Sequence, residues 1–451
     1  MLRTSISASI SATATGLLVC AWTAAAANPA SNVPSAYDPN NPVDLHITVD
    51  YAYEAERANI QREIVGAGDP LDPLPRTRDL KFHQFRHVLT PRAELGLYHD
   101  TWFSFALPVV IAQARELELD DGIDRAGSTT LVDGLLPMGG FDAQDPGTPP
   151  AGNLVFRGEG RHGLSQVHLG LGVAPMNQRR DPTKPTWKLG AEVRLAVGKV
   201  MRFDALNPAA QTGVNKGVHE LRLFTSFARR FARAEGWLEL FWQVPLRERK
   251  NSLFDDPGFG ASNTGLGQVG GLAFGVEAYA LDDKVNHNRI SLDLGARVTG
   301  HFEGRDYSEM WEVFAFAGDS RGTGPLILDA DPVDPDLQPL SHPGITNFEN
   351  YLETGARIAL RAQLGTFVQF AALVDVNWKT DHVISFADAG VDLPTCGPGV
   401  GNCEDENNDL VNPNTAEVNP LHNPRIDLVG HRYHSIDNLS VAVGLQGIVL
   451  F

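Results

Sequence analysis

Hydrophobic and polar residues alternate over much of the last stretch of the chain, from His434 to Phe451. One set of alternate positions is apolar: Leu439, Val441, Val443, Leu445, Val449 and Phe451. The positions between them are small or polar: Ser440, Ala442, Gly444 and Gln446. A period of two predicts a strand with one apolar face. Chain ends usually fray into water, so an apolar strand that runs to a terminal aromatic residue favours a membrane protein over a secreted β-sandwich, which remains the alternative.

The same alternation recurs in earlier segments, and it predicts an all-β chain of about twelve strands. The predicted strands cover approximately residues 44–56, 80–98, 101–118, 166–174, 187–200, 218–231, 236–247, 269–281, 289–303, 348–361 and 366–386, followed by the C-terminal segment. No helical domain or solenoid repeat is visible in the pattern.

The connections between these strands alternate between long and short. The links at His99–Asp100, at 232–235 and near Gly365 are tight turns, whereas 120–160 and 304–346 are long and rich in Gly, Pro and Asp. Such a rhythm is typical of a barrel with short turns at one rim and long loops at the other. An even strand number also lets the first and last strands pair in antiparallel fashion and close the sheet.

Four aromatic residues lie beside the predicted short turns: Tyr98, Trp102, Trp187 and Trp237. Aromatic side chains are enriched at the two interfaces of a membrane, so these residues are predicted to form a girdle at the short-turn rim. Their alternative role is as ordinary core residues.

Taken together, the alternation, the hairpin rhythm, the aromatic residues and Phe451 resemble the outer-membrane β-barrel proteins of Gram-negative bacteria. The resemblance is at class level and covers residues 44–451. It implies a transmembrane antiparallel up-and-down β-barrel with short periplasmic turns and long extracellular loops. It also implies contact with outer-membrane lipids and lipopolysaccharide, and insertion by the barrel assembly machinery, with Phe451 in the recognised tail.

The N-terminal residues predict an export signal over 1–27, followed by a short periplasmic segment over 28–43. Arg3 precedes an apolar centre at 16–22, and alanines at 24–27 form a small-residue cleavage zone. In an exported protein, Cys396 and Cys403 predict a disulfide that closes a small loop. Two cysteines alone cannot form a four-ligand zinc site.

Charge and hydropathy narrow the function classes. The net charge is −18, which is opposite to the sign that a nucleic-acid-binding protein needs. The mean hydropathy of −0.16 is compatible with a membrane barrel, because alternating strands never accumulate hydropathy. After the N-terminus, no apolar run reaches the roughly eighteen residues that a membrane-spanning helix needs.

Read by alternation, the polar faces of the predicted strands carry many charges. The interior is therefore predicted to hold Arg92, Glu94, Glu192, Arg194, Glu220, Arg222, Glu239, Glu277, Asp293, Arg297, Glu353, Arg357 and Asp375. Two interpretations stay open: the charges brace and partly fill a narrow lumen, or they line a polar path and select solutes. Carboxylates outnumber arginines in this set, which favours a weak preference for cations.

No enzyme motif is present in a suitable context. The sequence Gly265–Gly270 has the GxGxxG spacing but precedes a strand, and no Walker A, HExxH or GxSxG motif occurs. The acidic loop 329–336 suggests a calcium site, but its residues do not have the spacing of an EF-hand. His431, His434 and Asp437 are the candidate patch for a barrel-embedded hydrolase.

The sequence thus predicts a passive channel for small polar solutes or ions, without a cofactor or enzymatic activity. A structural or ligand-binding surface barrel is the alternative, and a hydrolase is the third possibility.

Overall fold

The structure, a computed structural model, describes residues 31–37, 44–65, 74–254, 263–319, 324–329, 336–390 and 418–451. The predicted export signal and the predicted Cys396–Cys403 disulfide lie outside the described residues. So does most of the acidic loop over 329–336.

Twelve long antiparallel strands form the body of the molecule. They are β1 (Leu45–Glu63), β2 (Arg76–Tyr98), β3 (Thr101–Ala106 and Val109–Leu119), β4 (Val167–Met176), β5 (Thr186–Leu195), β6 (Val218–Phe231), β7 (Ala234–Glu248), β8 (Val269–Asp283), β9 (Asn288–His301), β10 (Tyr351–Leu364), β11 (Val368–Lys379) and β12 (Tyr433–Leu450).

The sheet closes on itself, as the sequence predicts. β12 pairs with β11 on one side and with β1 on the other, where His46 lies opposite Leu450 and Arg62 opposite Tyr433. The backbone of Phe451 exchanges two hydrogen bonds with Leu45, at 3.0 and 3.3 Å. A closed sheet leaves no unpaired edge, which is the condition for placing strands in lipid.

Alternation decides which side chains face outward, and β9 shows it most clearly. Ile290, Leu292, Leu294 and Val298 are 40–50% exposed on the outer face. On the inner face between them lie the buried residues Ser291, Asp293, Arg297 and Thr299. This is the apolar-out, polar-in pattern of a membrane barrel, and the opposite of a soluble one.

The sequence predicts one uninterrupted third strand over 101–118. In the structure this strand is divided at Pro108. Proline donates no backbone hydrogen bond, so the ladder stops there. Leu107 N instead donates to Pro91 O at 3.0 Å. Thr101–Ala106 pairs with β4, whereas Val109–Leu119 pairs with the short strands Arg161–Leu164 and Leu154–Arg157.

At the long-loop end, the described parts of three loops pack against the inner walls of the barrel. They contribute the short helices α1 (Thr129–Val132) and α2 (Trp311–Ala317). An apolar core joins wall residues such as Leu80 and Leu117 to loop residues such as Val155 and Phe314. Within the described ranges, no helix is long and apolar enough to cross a membrane.

The remaining short elements also lie in loops between the barrel strands. They are the 3-10 helix Pro208–Ala210 and the strands Phe141–Asp142, Gly304–Asp306, Leu328–Asp329, Pro339–Leu340, Thr346–Phe348 and His382–Val383.

A candidate solute pathway inside the barrel

One side of the barrel interior, on β8 to β11, is packed with paired charges. Arg361 donates to Glu277 at 3.4 Å and to Asp293 at 3.0 Å, and the indole of Trp237 donates to Asp293 at 2.8 Å. Each of these side chains is at most 6% exposed. One guanidinium therefore neutralises two neighbouring carboxylates, and little room for solvent is left there.

Two further buried pairs extend this packed side toward the long loops. Arg297 binds Glu353 and also donates to Asn377 at 2.6 Å. Lys379 donates to Glu56 at 2.8 Å across the closure of the barrel. Arg357 lies opposite Asp375 in the β10–β11 register.

The rest of the interior contains two cavities: one lies mainly against β2 to β7, and the other extends across the barrel at its long-loop end, where Glu56, Tyr351 and Lys379 also line it. We call the one nearer the short turns the lower chamber. It measures about 90 Å³ and is lined by polar and aromatic groups: Asn32, Thr48, Arg92, Glu94, Trp102, Ser104, Lys188, Glu192, Arg222, Phe224, Ser226, Glu239 and Ile448. In it, Arg222 donates to Glu239 at 2.8 Å.

The cavity nearer the long loops, the upper chamber, measures about 200 Å³. Barrel residues such as His168, Glu220 and Gln243 line its lower part, and loop residues such as Tyr307 and Glu309 line its upper part. The Tyr307 hydroxyl donates to Met201 O at 2.9 Å, which ties two loops together above the chamber.

A cluster of Arg92, Glu192, Arg194 and Gln243 separates the chambers, and we call it the charged septum. Glu192 and Arg92 line the lower chamber, and Arg194 and Gln243 line the upper one. Arg194 donates to Glu192 at 2.8 Å and to Gln243 at 2.9 Å, while Arg92 lies 3.7 Å from Glu192. These contacts connect β2, β5 and β7 across the interior, between strands that are not neighbours in the sheet.

The N-terminal segment 31–37 lies at the short-turn end of this route. Val33 is 2% exposed and packs with Trp102 and Ala174. Lys188 donates to Asn32 O at 2.9 Å, and the amide of Ser35 donates to Asp44 at 2.8 Å. Sequence reasoning missed this segment, since its composition indicates only a linker.

All thirteen of the predicted interior charges lie on barrel strands, but they do not form one set. Arg92, Glu94, Glu192, Arg222 and Glu239 border the lower chamber, and Arg194 and Glu220 border the upper chamber. The others belong to the packed side: Glu277, Asp293, Arg297, Glu353, Arg357 and Asp375.

Two residues of the predicted aromatic girdle lie in the interior instead. Trp102 is 3% and Trp237 is 6% exposed, whereas Tyr98 is 71% exposed at the rim. The reason is that nearness to a turn fixes a residue's height in the barrel, while alternation fixes its face. Trp187 stacks on Phe227 at 5.7 Å and is half-buried.

The predicted hydrolase patch does not assemble as a catalytic group among the described side chains. His434 binds the carboxylate of Glu63 at 2.8 Å, and both are 3% exposed. Asp437 instead accepts a hydrogen bond from Asn59 at 2.9 Å. The nearby Arg62 donates to the backbone carbonyl of His431 at 3.2 Å.

The Glu63 carboxylate anchors the chain that leads into β12. It also accepts hydrogen bonds from Arg432 at 2.8 and 3.0 Å and from Gly430 N at 2.7 Å. Burial alone would raise the pKa of Glu63, but the donors from Arg432, Gly430 and His434 outweigh it and hold that pKa at about 2. We call Glu63, Gly430, Arg432 and His434 the Glu63 latch.

Metal ligands are not grouped in the described part of the chain: no three His, Cys, Asp or Glu side chains there are placed to hold an ion. The polar groups of the interior instead bind one another.

Neither a protein-family model nor a curated protein matches the chain. Solved structures do resemble it in fold. The COG4313 outer-membrane channel of Pseudomonas putida F1 matches 92% of this chain and 99% of its own length, with 9% identity and a TM-score of 0.37. A Pseudomonas aeruginosa FadL homologue matches 90% of each chain, with 10% identity and a TM-score of 0.31.

The outer-membrane protease OmpT of Escherichia coli matches 90% of this chain and 97% of its own length, with 6% identity and a TM-score of 0.25. Likeness at this level assigns no residue a role. The closed twelve-stranded antiparallel barrel itself confirms the class-level resemblance to bacterial outer-membrane β-barrel proteins, with no subfamily identified.

Proposed function

We propose that the protein is an outer-membrane channel through which small polar solutes or ions diffuse passively. The observation that carries the proposal is the placement of two cavities, both bordered by charged side chains, on either side of the charged septum in a barrel whose interior is otherwise packed. A barrel whose interior charges only stabilise the fold would not need two cavities separated by a charged cluster. A route with wide points on both sides of a charged constriction suits selective diffusion.

The cellular setting is part of the same proposal. The signal over 1–27 is cleaved on export, and the barrel assembly machinery inserts the chain with Phe451 in the recognised tail. The apolar outer face then contacts outer-membrane lipids and lipopolysaccharide. The proposal involves no catalysis, no cofactor and no nucleic acid.

The lower chamber supports a weak preference for cations. Two of its three carboxylates are more exposed than its arginines: the side chains of Glu239 and Glu94 are 23% and 21% exposed, against 14% for Arg222, 12% for Arg92 and 10% for Glu192. A passing ion therefore meets negative charge first, even though the charges are nearly balanced in number.

Reversal potentials in planar bilayers test this preference. Glu239→Gln is expected to shift the reversal potential toward anions, because it removes an exposed charge beside the route. Glu277→Gln is the matched control, because Glu277 is 3% exposed on the packed side and should leave ion selectivity unchanged. Equal reversal potentials in wild type and Glu239→Gln would contradict a charged route through the lower chamber.

A closed surface barrel is the second candidate function. It is favoured by the apolar loop core, which packs against the inner walls at one end, and by the segment 31–37, which lies at the other end. An intact, heat-modifiable barrel that shows no conductance, but binds a ligand through its long loops, would support this candidate.

A further inference from the structure

Aromatic rings line much of the upper chamber. Phe82, Tyr307, Phe348 and Tyr351 all border it. Tyr351 is sandwiched between two histidine rings: His301 at 4.3 Å and 6° on one side, and His382 at 4.1 Å and 15° on the other. Flat, rigid walls of this kind suit a planar apolar ligand.

The size of the chamber limits such a ligand to one ring. Its volume is about 200 Å³. Sites for drug-sized ligands measure roughly 300–1,000 Å³, so this one is smaller than that class.

A buried arginine also lines the upper chamber without an ion-pair partner. Arg115 is 5% exposed, and among the described residues no carboxylate lies within 4.0 Å of its guanidinium. Its only hydrogen-bond acceptor in that part of the chain is Ser308 O, at 3.0 Å from Nη2, and its buried Nε has no partner. A guanidinium has five N–H donors, so most of this capacity is unused.

The neighbouring Arg161 provides a comparison, because its guanidinium is saturated with hydrogen bonds. It binds Glu312 at 2.6 Å and donates to three backbone carbonyls at 2.8–3.1 Å. Both guanidiniums lie over Trp311, at 4.9 Å for Arg161 and 5.7 Å for Arg115. Phe82 lies 5.1 Å from the Arg115 guanidinium, so aromatic rings hold it where a carboxylate would otherwise be expected.

We propose that the upper chamber binds a small aromatic carboxylate, with the carboxylate on Arg115 and the ring against Phe82 and Phe348. A carboxylate matches the planar fork of a guanidinium and would satisfy its free donors. The proposal rests on the proposed channel function and concerns a solute held in the upper chamber, whereas the weak preference for cations belongs to the lower chamber on the other side of the charged septum.

Glu309 is the feature of the chamber that would favour an amine instead. Its Oε1 accepts hydrogen bonds from Ser435 at 3.1 Å and Asn438 at 3.3 Å, whereas its buried Oε2 has no hydrogen-bond partner among the described residues. Of the other charges that border the chamber, Lys379 pairs with Glu56 at 2.8 Å and Lys216 with Asp306 at 2.6 Å, while Glu220 accepts hydrogen bonds from two glutamine side chains. Arg115 is thus the cation that a bound anion would meet.

Calorimetric titration of the refolded full-length chain in detergent tests the site with benzoate, benzyl alcohol and benzylamine as probes. Benzoate is expected to bind at least tenfold more tightly than the other two. Arg115→Met should weaken benzoate binding by roughly ten- to a hundredfold, since it removes charge-assisted hydrogen bonds. Arg115→Lys should fall between wild type and Arg115→Met, because it keeps the charge but loses the fork.

The matched control is Arg157→Met, which breaks an ion pair with Glu116 at 3.0 Å away from the chamber and should leave benzoate affinity unchanged. Tighter binding of benzylamine than of benzoate by wild type would overturn the proposal without any variant. So would undiminished benzoate binding by a heat-modifiable Arg115→Met barrel.

Salt conductance measured on the same preparations separates this proposal from the channel function. Conductance without benzoate binding would overturn the proposed binding site and leave the proposed channel function standing. Benzoate binding without conductance supports the site and overturns the channel.

Discussion

Single residues inside this barrel are stabilised by one another far more than by water. Arg361 illustrates it, because it is 3% exposed and is the guanidinium shared by Glu277 and Asp293. Removing one partner of a buried pair leaves an uncompensated charge, whereas a surface pair contributes little.

Arg361→Met is therefore expected to lower the free energy of unfolding of the refolded barrel by about 3–5 kcal/mol. Urea titration followed by tryptophan fluorescence measures the loss. Arg230→Met is the control: Arg230 pairs with Asp282 at 2.5 Å near the rim, where both side chains are more than 20% exposed, so its cost should stay below about 1 kcal/mol. Equal losses in the two variants would show that the packed side does not brace the barrel.

The Glu63 latch predicts a dependence of loop stability on pH. It lies beyond the lipid-facing band, since the outward positions of β1 change from Ile47 and Val49 to Arg57 and Asn59. The folded pKa of about 2 lies below the usual carboxyl value of 4.5, so the latch is fully stabilising above pH 4.5. Its contribution is lost as pH falls from there toward 2.

Limited proteolysis of the loop that precedes β12, with an acid-stable protease between pH 6 and pH 2, measures this loss. Wild type should lose protection progressively below about pH 4.5, while Glu63→Gln should be cleaved readily throughout the range. Glu116→Gln, in a half-exposed pair, serves as the control and should behave as wild type. Full protection of Glu63→Gln at pH 6 would contradict the role given to the latch.

The sequence predicts correctly which way a side chain faces where the prediction uses the alternation along the strand. It fails where the prediction uses only the nearness of a residue to a turn. The sequence predicts Trp102 and Trp237 at the rim because both lie close to short turns. Their cross-strand partners are Gly172 and Gly275, and a Cβ at those positions would lie 2.1 and 2.7 Å from the indole rings. A glycine on an inward face opposite a tryptophan was the signal that could have placed both rings inside.

Among the elements, the segment 31–37 has the most direct bearing on function. It closes the short-turn end of the route through Val33 and through the bond from Lys188 to Asn32 O. Several hydrogen bonds anchor it, but it belongs to no strand of the closed sheet, so its removal should not unfold the barrel.

A variant in which residues 31–37 are replaced by a Gly/Ser linker of equal length is expected to conduct severalfold more than wild type. Single-channel recording at fixed salt measures the change. The matched control is the single substitution Tyr37→Ala, at the exposed end of the segment, which should leave conductance near the wild-type value. Unchanged conductance in the replacement variant would show that the segment does not limit the route.

At the element scale, the strands were predictable and the loops were not. The predicted strand 218–231 coincides with β6, and the predicted closure of the barrel is confirmed. The sequence shows that Pro108 interrupts the apolar run of the third strand. Its effect on strand pairing could not be predicted, because that depends on which strands lie beside each half. The apolar loop core could not be predicted, because Val155 and Phe314 meet only after the sheet has closed.

At the scale of the whole molecule, ion pairs and cavities are unevenly distributed over the interior. Ion pairs fill much of the space along β8 to β11, the lower chamber and the charged septum lie mainly along β2 to β7, and the upper chamber extends across the barrel at the long-loop end. Sequence alternation placed the charges on strands but could not separate these two sets, because strand register and side-chain pairing determine which charges remain beside open space.

The most direct test of the channel is to remove the charged septum. Single-channel recording compares wild type with the triple variant Arg92→Ser, Glu192→Ser and Arg194→Ser, after heat modifiability has shown that both barrels are folded. A route through the two chambers predicts a small conductance for wild type and a conductance several times larger for the variant. An absence of conductance in both proteins, or equal conductance in the two, would contradict it.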